Sequence, residues 1–200
     1  MPSVYQLKPR FQALLRPVMR ALAHAGWSPN AVTLLALAGS VVVGAAISQA
    51  RARPVLYLLL PLWLFARMAL NAIDGMMARE LNLATRLGAV LNEAGDVLSD
   101  VALYLPLAFA ARDALWPVVV FSIAAILTEF CGVLGAALNA GRRYEGPMGK
   151  SDRAFLAGAL ALITFAIPEA LLWWPWIFSA ASGLAVLTCW NRIHAIVSQA

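Results

Sequence analysis

Charge is what this chain holds least of. Its 200 residues include 15 Lys and Arg, 10 Asp and Glu and 2 His, so charged side chains make up 12% of the sequence against 62% hydrophobic. A soluble domain has roughly a quarter of its residues charged, and a mean hydropathy of +0.77 argues against that class and places the chain in a bilayer. Cysteine is nearly absent as well. Cys131 and Cys189 sit within different apolar segments without metal-ligand spacing, which argues against a disulfide or a ligand pair and for buried, inert thiols. With no soluble module left to hold a duplex, the net charge of +5 is assigned to membrane and phosphate contacts and not to nucleic acid.

What is present instead is apolar sequence in long runs. A spanning helix needs about 20 mostly apolar residues, and proline, glycine and charge mark off six such segments, near 29–50, 54–78, 87–111, 115–139, 154–173 and 175–197. The cluster Trp173, Trp174, Pro175, Trp176 between the last two reads as an interfacial aromatic belt with a tight turn. Residues 1–27 differ: Lys8, Arg10, Arg16, Arg20 and His24 alternate with Phe11, Leu14, Leu15, Val18, Met19 and Leu22 at helical spacing. That pattern describes an amphipathic helix lying on an anionic leaflet. A signal peptide is the competing reading, but the apolar run is broken and no small-residue cleavage site precedes Trp27. The expected fold is an all-α integral membrane protein, with a juxtamembrane helix over 1–27 and a six-helix transmembrane domain over 28–200.

Lys and Arg placement sets the orientation. With the N-terminus inside, Lys8, Arg10, Arg16, Arg20, Arg79, Arg86, Arg142, Arg143, Lys150, Arg153 and Arg192 fall in the cytoplasm, and Arg51, Arg53 and Arg112 fall outside. Both termini then face the cytoplasm, as expected of a protein of the inner membrane.

Against this apolar background, the acids that do occur are concentrated. Asn71, Asp74, Gly75 and Ala78 recur at three or four residues on one face of the second span, and Gly88, Asn92, Asp96 and Asp100 repeat every four residues on the third, flanked by Glu93 and Ser99. An acid at the middle of a spanning helix costs about 2.5 to 3.5 kcal/mol on insertion scales, so such residues face a protein interior and mark function. Crowded carboxylates in a low dielectric need a bound cation or protonation. Oxygen ligands without His or Cys select Mg2+, Mn2+ or Ca2+, small residues beside them admit a polyphosphate, and Arg79 is placed to pair with it. Metal, phosphate and carboxylate base together point to phosphoryl transfer. Helix glue and an ion or proton pathway are the other readings of the same stripe.

These residues, Asn71-x-x-Asp74-Gly75-x-x-Ala78-Arg79, eight residues, then Gly88-x-x-x-Asn92-x-x-x-Asp96, closely resemble the CDP-alcohol phosphotransferase signature, D-x-x-D-G-x-x-A-R, eight residues, G-x-x-x-D-x-x-x-D. Pro29-Asn30-Ala31-Val32-Thr33 and Gly149-Lys150 are similar to two shorter elements of that family. The resemblance implies six membrane spans, a homodimer and a polar cavity open to the cytoplasm. It also implies a reaction in which an acceptor alcohol attacks the phosphorus on the alcohol side of a CDP-alcohol, CDP-diacylglycerol being the natural donor, and CMP leaves. By position, Asp74 with Asn71 and Asn92 would hold divalent cations, Mg2+ or Mn2+. Gly75, Ala78, Arg79 and Gly88 would lie along the CDP with Asn30 and Thr33 nearby, and Asp96 would be the base.

Two family acids are asparagines here, Asn71 and Asn92, which halves the formal charge of the four-residue site and leaves one or two cations open. Glu93 and Asp100 are extra acids. Read one turn further along, Asp96 becomes a ligand and Asp100 the base, although Gly88 favours the direct register. Arg67 and Glu129 stand alone in their spans and are expected to satisfy each other as an internal pair or to bind the acceptor. Arg142, Arg143, Lys150 and Arg153 crowd a cytoplasmic loop, as a positive-inside anchor or as partners for the phosphate of an acceptor or lipid. His24 and His194 show no partners in the sequence. A CDP-lipid hydrolase, and a catalytically altered lipid- or metal-binding protein or transporter, are the alternatives to a transferase.

Overall fold

The computed structural model of the protein describes residues 4–198, with side chains from residue 9 onward. Among these, every regular element is helical: α1 (Val4–His24), α2 (Pro29–Ile47), α3 (Leu59–Glu80), α4 (Arg86–Tyr104), α5 (Leu115–Ala137), α6 (Lys150–Ala166) and α7 (Trp174–Val197). Short 3-10 turns at Pro54–Leu58, Leu105–Phe109, Arg112–Ala114 and Pro168–Trp173 lead out of or into them. The first, second and fourth of these carry a proline at their first or second position, where the fixed φ is already suitable and the missing N–H costs nothing.

Helix starts are encoded locally. Ser28 precedes Pro29, and its Oγ accepts the Ala31 N–H at 3.2 Å. Thr85 Oγ1 accepts the Gly88 N–H at 2.9 Å to open α4, and Asp152 of α6 accepts the Gly149 N–H at 2.9 Å. Each satisfies a donor that the first helical turn leaves without an intrahelical partner. After α3 and α5 the chain turns at Asn82 and Asn139, with φ of +55° and +59°, a conformation asparagine tolerates better than most residues.

The described chain divides into two compact units. One holds the residues up to Ser40 with Trp63–Ser99; the other holds Val41–Leu62 and the residues from Asp100 onward. In the first, Met19 of α1, Val32 of α2 and Ile73, Met76 and Met77 of α3 form the core, with Leu15, Leu22, Ala23 and Leu70 packed on it. The helical spacing read in α1 therefore sends one side inward while Leu14 and Val18 stay 74% and 49% exposed. The side chain of Lys8 lies outside the described residues. Arg16 forks onto Glu80 at 2.8 and 3.1 Å, tying α1 to the end of α3. Trp63 donates its indole N–H to Ser40 Oγ at 3.0 Å, and its ring fills the space a Cβ on Gly39 would take.

The second unit is built on aromatics. Tyr57, Trp174, Phe178, Phe121 and Tyr104 form a chain of tilted and edge-on rings with centroids 5.2 to 6.1 Å apart, a geometry that brings about 0.5 to 1.5 kcal/mol per pair beyond burial. This corrects the reading of the tryptophan cluster. Trp174 is fully buried and donates its indole N–H to Thr164 at 3.0 Å, whereas Trp173 and Trp176 are exposed, and the break between α6 and α7 comes earlier, at Pro168. As the first residue of α7, Trp174 packs its ring between Tyr57 and Phe178. Cys131 and Cys189 are free thiols, the first buried and the second half-buried.

Among the described residues, four helical stretches are long and apolar enough to cross a membrane: Pro29–Ile47, Pro54–Glu80, Arg112–Ala137 and Pro168–Val197. The other two expected spans form as helices, but α4 carries Arg86, Glu93, Asp96 and Asp100, and α6 is 17 residues long with Lys150, Asp152 and Arg153 in its first turn. The side chains of Leu62, Phe65 and Met68 on α3 and of Trp176, Val186 and Trp190 on α7 point outward, as lipid-facing residues do.

Candidate active site

In the first unit, α3 presents Arg67, Asn71, Asp74, Gly75 and Ala78 at helical spacing, and α4 presents Gly88, Asn92 and Asp96 every four residues. The expected meeting of the two stripes occurs, and it centres on Asp96. Asn71 donates its amide N–H to Asp96 Oδ1 at 2.9 Å. Arg67 Nη2 reaches the same oxygen at 3.2 Å and the Asp96 carbonyl at 3.0 Å. Arg67 is 4% exposed and the Asp96 side chain 15%, so one carboxylate oxygen receives a guanidinium and an amide in a half-closed site where charge-assisted hydrogen bonds are strong. The partner of Arg67 in this unit is thus Asp96. Glu129, expected to pair with it, binds Arg142 and Arg153 in the other unit.

Asp74 lies 5% exposed on the same face of α3. The hydroxyl of Thr33 donates to its Oδ2 at 2.8 Å and stands 3.1 Å from the Pro29 carbonyl. The Pro-Asn-x-x-Thr element therefore has a physical task, which is to orient Asp74. Asn30, three residues earlier on α2, explains Gly88: a Cβ there would sit 2.8 Å from Asn30 Oδ1 and 3.1 Å from Thr85 Oγ1. At Gly75 a Cβ would meet the Arg79 guanidinium at 3.3 Å, so Arg79, exposed at the end of α3, lies back over that glycine. Asn92 and Glu93 are half-buried on α4.

The remaining expected residues belong to the second unit and form a separate network. Arg153 is completely buried. It donates to Asp100 Oδ2 at 3.0 Å, Glu129 Oε1 at 2.7 Å, Thr128 Oγ1 at 2.6 Å and the Met148 carbonyl at 3.2 Å. Glu129 also accepts from Arg142 at 3.1 Å. Two acids and two arginines balance, as burial of such groups requires. Arg153, expected at the substrate, and Asp100, offered as a base, form a mutual ion pair here, with both side chains turned into the packed interior. Lys150, in the first turn of α6, is half-buried.

Three members of this network escaped the sequence reading. Arg192, counted only as a cytoplasmic cation, is 3% exposed and binds the carbonyls of Glu145 and Thr128. Thr188 accepts the Met148 N–H at 3.0 Å, and Thr128 serves Arg153. Their signal was a polar residue inside an apolar helix, but nothing in the spacing names the partner. His194, read as partnerless, has its Nδ1 3.3 Å from Ser198 Oγ.

All donors on the acidic stripe are oxygens, which suits a hard cation. Among the described residues, however, no three His, Cys, Asp or Glu side chains converge in a way that would hold a metal ion. Asp74, Asp96 and the half-buried Glu93 are the acids of the stripe in this unit, and Arg67 already offsets the charge of Asp96. The donor set fits one divalent cation with other ligands supplied by substrate or water, and does not fit an all-carboxylate cage for two.

Comparison with known proteins agrees with the motif. The family model described as CDP-alcohol phosphatidyltransferase matches residues 27–187. The inner membrane protein YnbA of Escherichia coli is 48% identical over 98% of this chain and 96% of its own. A phosphatidylinositol phosphate synthase of Mycobacteroides abscessus is 30% identical over 93% of this chain and 84% of its own. Among solved structures, the phosphatidylinositol phosphate synthase of Mycobacterium tuberculosis with CDP-DAG bound matches with a TM-score of 0.77 at 22% identity, over 92% of this chain and 94% of that one. The same enzyme in complex with manganese and citrate matches with a TM-score of 0.78 at 21% identity, over 91% and 88%.

Proposed function

The chain belongs to the CDP-alcohol phosphatidyltransferase family, and from that premise we propose that it moves a substituted phosphate group from a CDP-alcohol to an acceptor alcohol and releases CMP. CDP-diacylglycerol is the donor in this reading, since the bilayer supplies it laterally and the solved relative binds it. The observation that carries the reading is the junction of α3 and α4 at Asp96, with Asp74 held by Thr33 on the same helix face as Asn71.

The acceptor hydroxyl forms a new bond to the phosphorus on the alcohol side of the diphosphate, the bond from that phosphorus to the CMP oxygen breaks, and the hydroxyl proton passes to Asp96. Arg67 and Asn71 grip Asp96 by Oδ1 and fix the plane of its carboxylate, which is what a positioned general base needs. Asp100, the other base considered, is spent on Arg153. Asp74 is the principal ligand for one Mg2+ or Mn2+, with Asn71, Asn92 and Glu93 nearby as weaker or indirect donors. Such an ion, when bound, neutralises the diphosphate. Asn30, Thr33, Gly75, Ala78, Arg79 and Gly88 line the CDP. Lys150 is a partner for phosphate on an acceptor or lipid.

In the same reading the chain is an inner-membrane homodimer that crosses six times. The four long apolar helices are joined as spans by α4 and α6, whose charges at Asp100 and Arg153 are buried in protein, and the residues up to 27 form a juxtamembrane element beside a domain that begins at 28. Both termini and the site face the cytoplasm, on the side where Lys and Arg accumulate. The name of the Escherichia coli relative supports this location.

The test is CMP release by purified protein in lipid with CDP-diacylglycerol and Mg2+ or Mn2+, with and without a panel of alcohols. Acceptor-dependent release that disappears in Asp96→Ala is the expected result. Release without acceptor would make it a hydrolase. Absence of release with every CDP-alcohol would overturn both.

A further inference from the structure

Resting on the transferase reading, we propose that Arg67 is a built-in cation that takes the electrostatic place of a second metal ion, so that the site binds one divalent cation per chain. The first ground is charge. The signature this motif resembles carries four acids, and a site with four carboxylates needs two divalent cations for neutrality. Here the first and third are Asn71 and Asn92, and a buried guanidinium, that of Arg67, stands on the same helix face as Asn71, one turn before it. Asp74, Asp96 and the half-buried Glu93 against one arginine and one divalent cation give a neutral site that can take up a diphosphate. A second divalent cation would leave a positive excess in a low dielectric before the diphosphate enters.

The second ground is geometry. A carboxylate oxygen offers about two lone-pair sites, and Asp96 Oδ1 receives both Arg67 Nη2 and Asn71 Nδ2, at 3.2 and 2.9 Å. An Mg2+ ion would need to sit about 2.0 to 2.1 Å from a ligand oxygen, which at Oδ1 would press it against the guanidinium. Asn71, which stands where the signature has its first acid, turns its N–H and not its carbonyl toward Asp96. The arginine and both asparagines thus act together: the carboxamides withdraw the charges that would call in a second cation, and Arg67 occupies the flank of Asp96 where one would bind.

The sequence held half of this. Arg67 lies four residues before Asn71 and seven before Asp74, on the stripe, but only the α3–α4 packing shows that its head reaches Asp96. Arg67 is accordingly a positioning and charge-supplying residue, acting on Asp96 directly and on the diphosphate at longer range.

The experiment counts Mn2+ ions by equilibrium dialysis on the purified full chain in nanodiscs with CDP-diacylglycerol present, with CMP release measured in parallel. The wild type is expected to bind one Mn2+. Asn71→Asp/Asn92→Asp should still bind one, and adding Arg67→Met to that pair should admit a second. Arg67→Met alone should lose CMP release by about a hundredfold while binding its single Mn2+ at least about tenfold more tightly, because a like charge has been removed. A purely structural arginine would weaken both. Arg67→Lys keeps the charge and should retain one-ion stoichiometry and most of the release, which covers the case in which Arg67→Met does not fold. Two ions or none in the wild type, or looser Mn2+ binding in Arg67→Met, overturns the proposal whether or not CMP is released; the wild-type release assay judges the transferase reading separately.

Discussion

The hydroxyl of Thr33 donates to Asp74 Oδ2 across α2 and α3 at 2.8 Å, with both residues buried. A hydrogen bond to a charged group is worth about 1.5 to 3 kcal/mol, and here it fixes the rotamer of the residue assigned to the cation. Thr33→Val is therefore expected to lower CMP release about tenfold and to raise the half-saturating Mn2+ concentration by a similar factor, while Asp74→Ala abolishes release. An unchanged Mn2+ titration in Thr33→Val would separate Asp74 from the cation.

Gly88 is a matter of space. A methyl there would lie 2.8 Å from Asn30 Oδ1, so Gly88→Ala is expected to displace Asn30 at a cost of about 1 to 3 kcal/mol, the usual range for overpacking. Steady-state kinetics should show a raised KM for the CDP-alcohol. Adding Asn30→Ala should recover stability in a thermal melt even though it removes a polar group from the site. If the double variant melts no higher than Gly88→Ala, the clash is not the cause.

Arg153 should matter for folding before it matters for chemistry. It holds two buried acids, Asp100 and Glu129, and removing one member of a buried ion network strands the others at about 3 to 5 kcal/mol. Arg153→Met is expected to lower the melting temperature sharply, and Asp100→Asn/Glu129→Gln in that background should restore much of it. A normal melt for Arg153→Met with CMP release lost would return Arg153 to the substrate.

Glu145, in the loop between α5 and α6, gives the pH dependence a sign. Its own backbone N–H, then that of Tyr144 at 2.9 Å, and then Arg143 hold its carboxyl below the usual carboxylate range. A lowered folded-state pKa adds stability that is complete above the unfolded value of about 4.3 and is lost as pH falls through the folded value. Limited proteolysis of this loop should accelerate below about pH 4 in the wild type, and Glu145→Gln should cleave at a rate nearly independent of pH. Equal pH profiles for the two would remove Glu145 from the loop's acid sensitivity.

The boundaries of α2, α5 and α7 were legible within a few residues because proline and charge interrupt otherwise apolar runs. The stripes on α3 and α4 were legible because three- and four-residue spacing dictates a shared face whatever the surroundings. Illegible were the partners. Arg67 and Glu129 were both visible as charges inside apolar helices, yet each found different counterions, Asp96 for one and Arg142 with Arg153 for the other. Trp174 was misread for a related reason: a tryptophan next to other tryptophans and a proline has the composition of an interface, and its place in the core comes from the rings of Tyr57 and Phe178 and the hydroxyl of Thr164.

By itself, then, the sequence determined a helical membrane chain, the faces of its helices, and a motif of glycine, acid, amide and arginine whose spacing is local geometry repeated every 3.6 residues. Tertiary structure decided how the charges pair. Which guanidinium meets which carboxylate depends on the rotation and depth of one helix against another, a quantity no single helix encodes. That packing turned Arg67 toward Asp96, closed Asp100 and Arg153 into a buried pair, and left Asp74 held by Thr33.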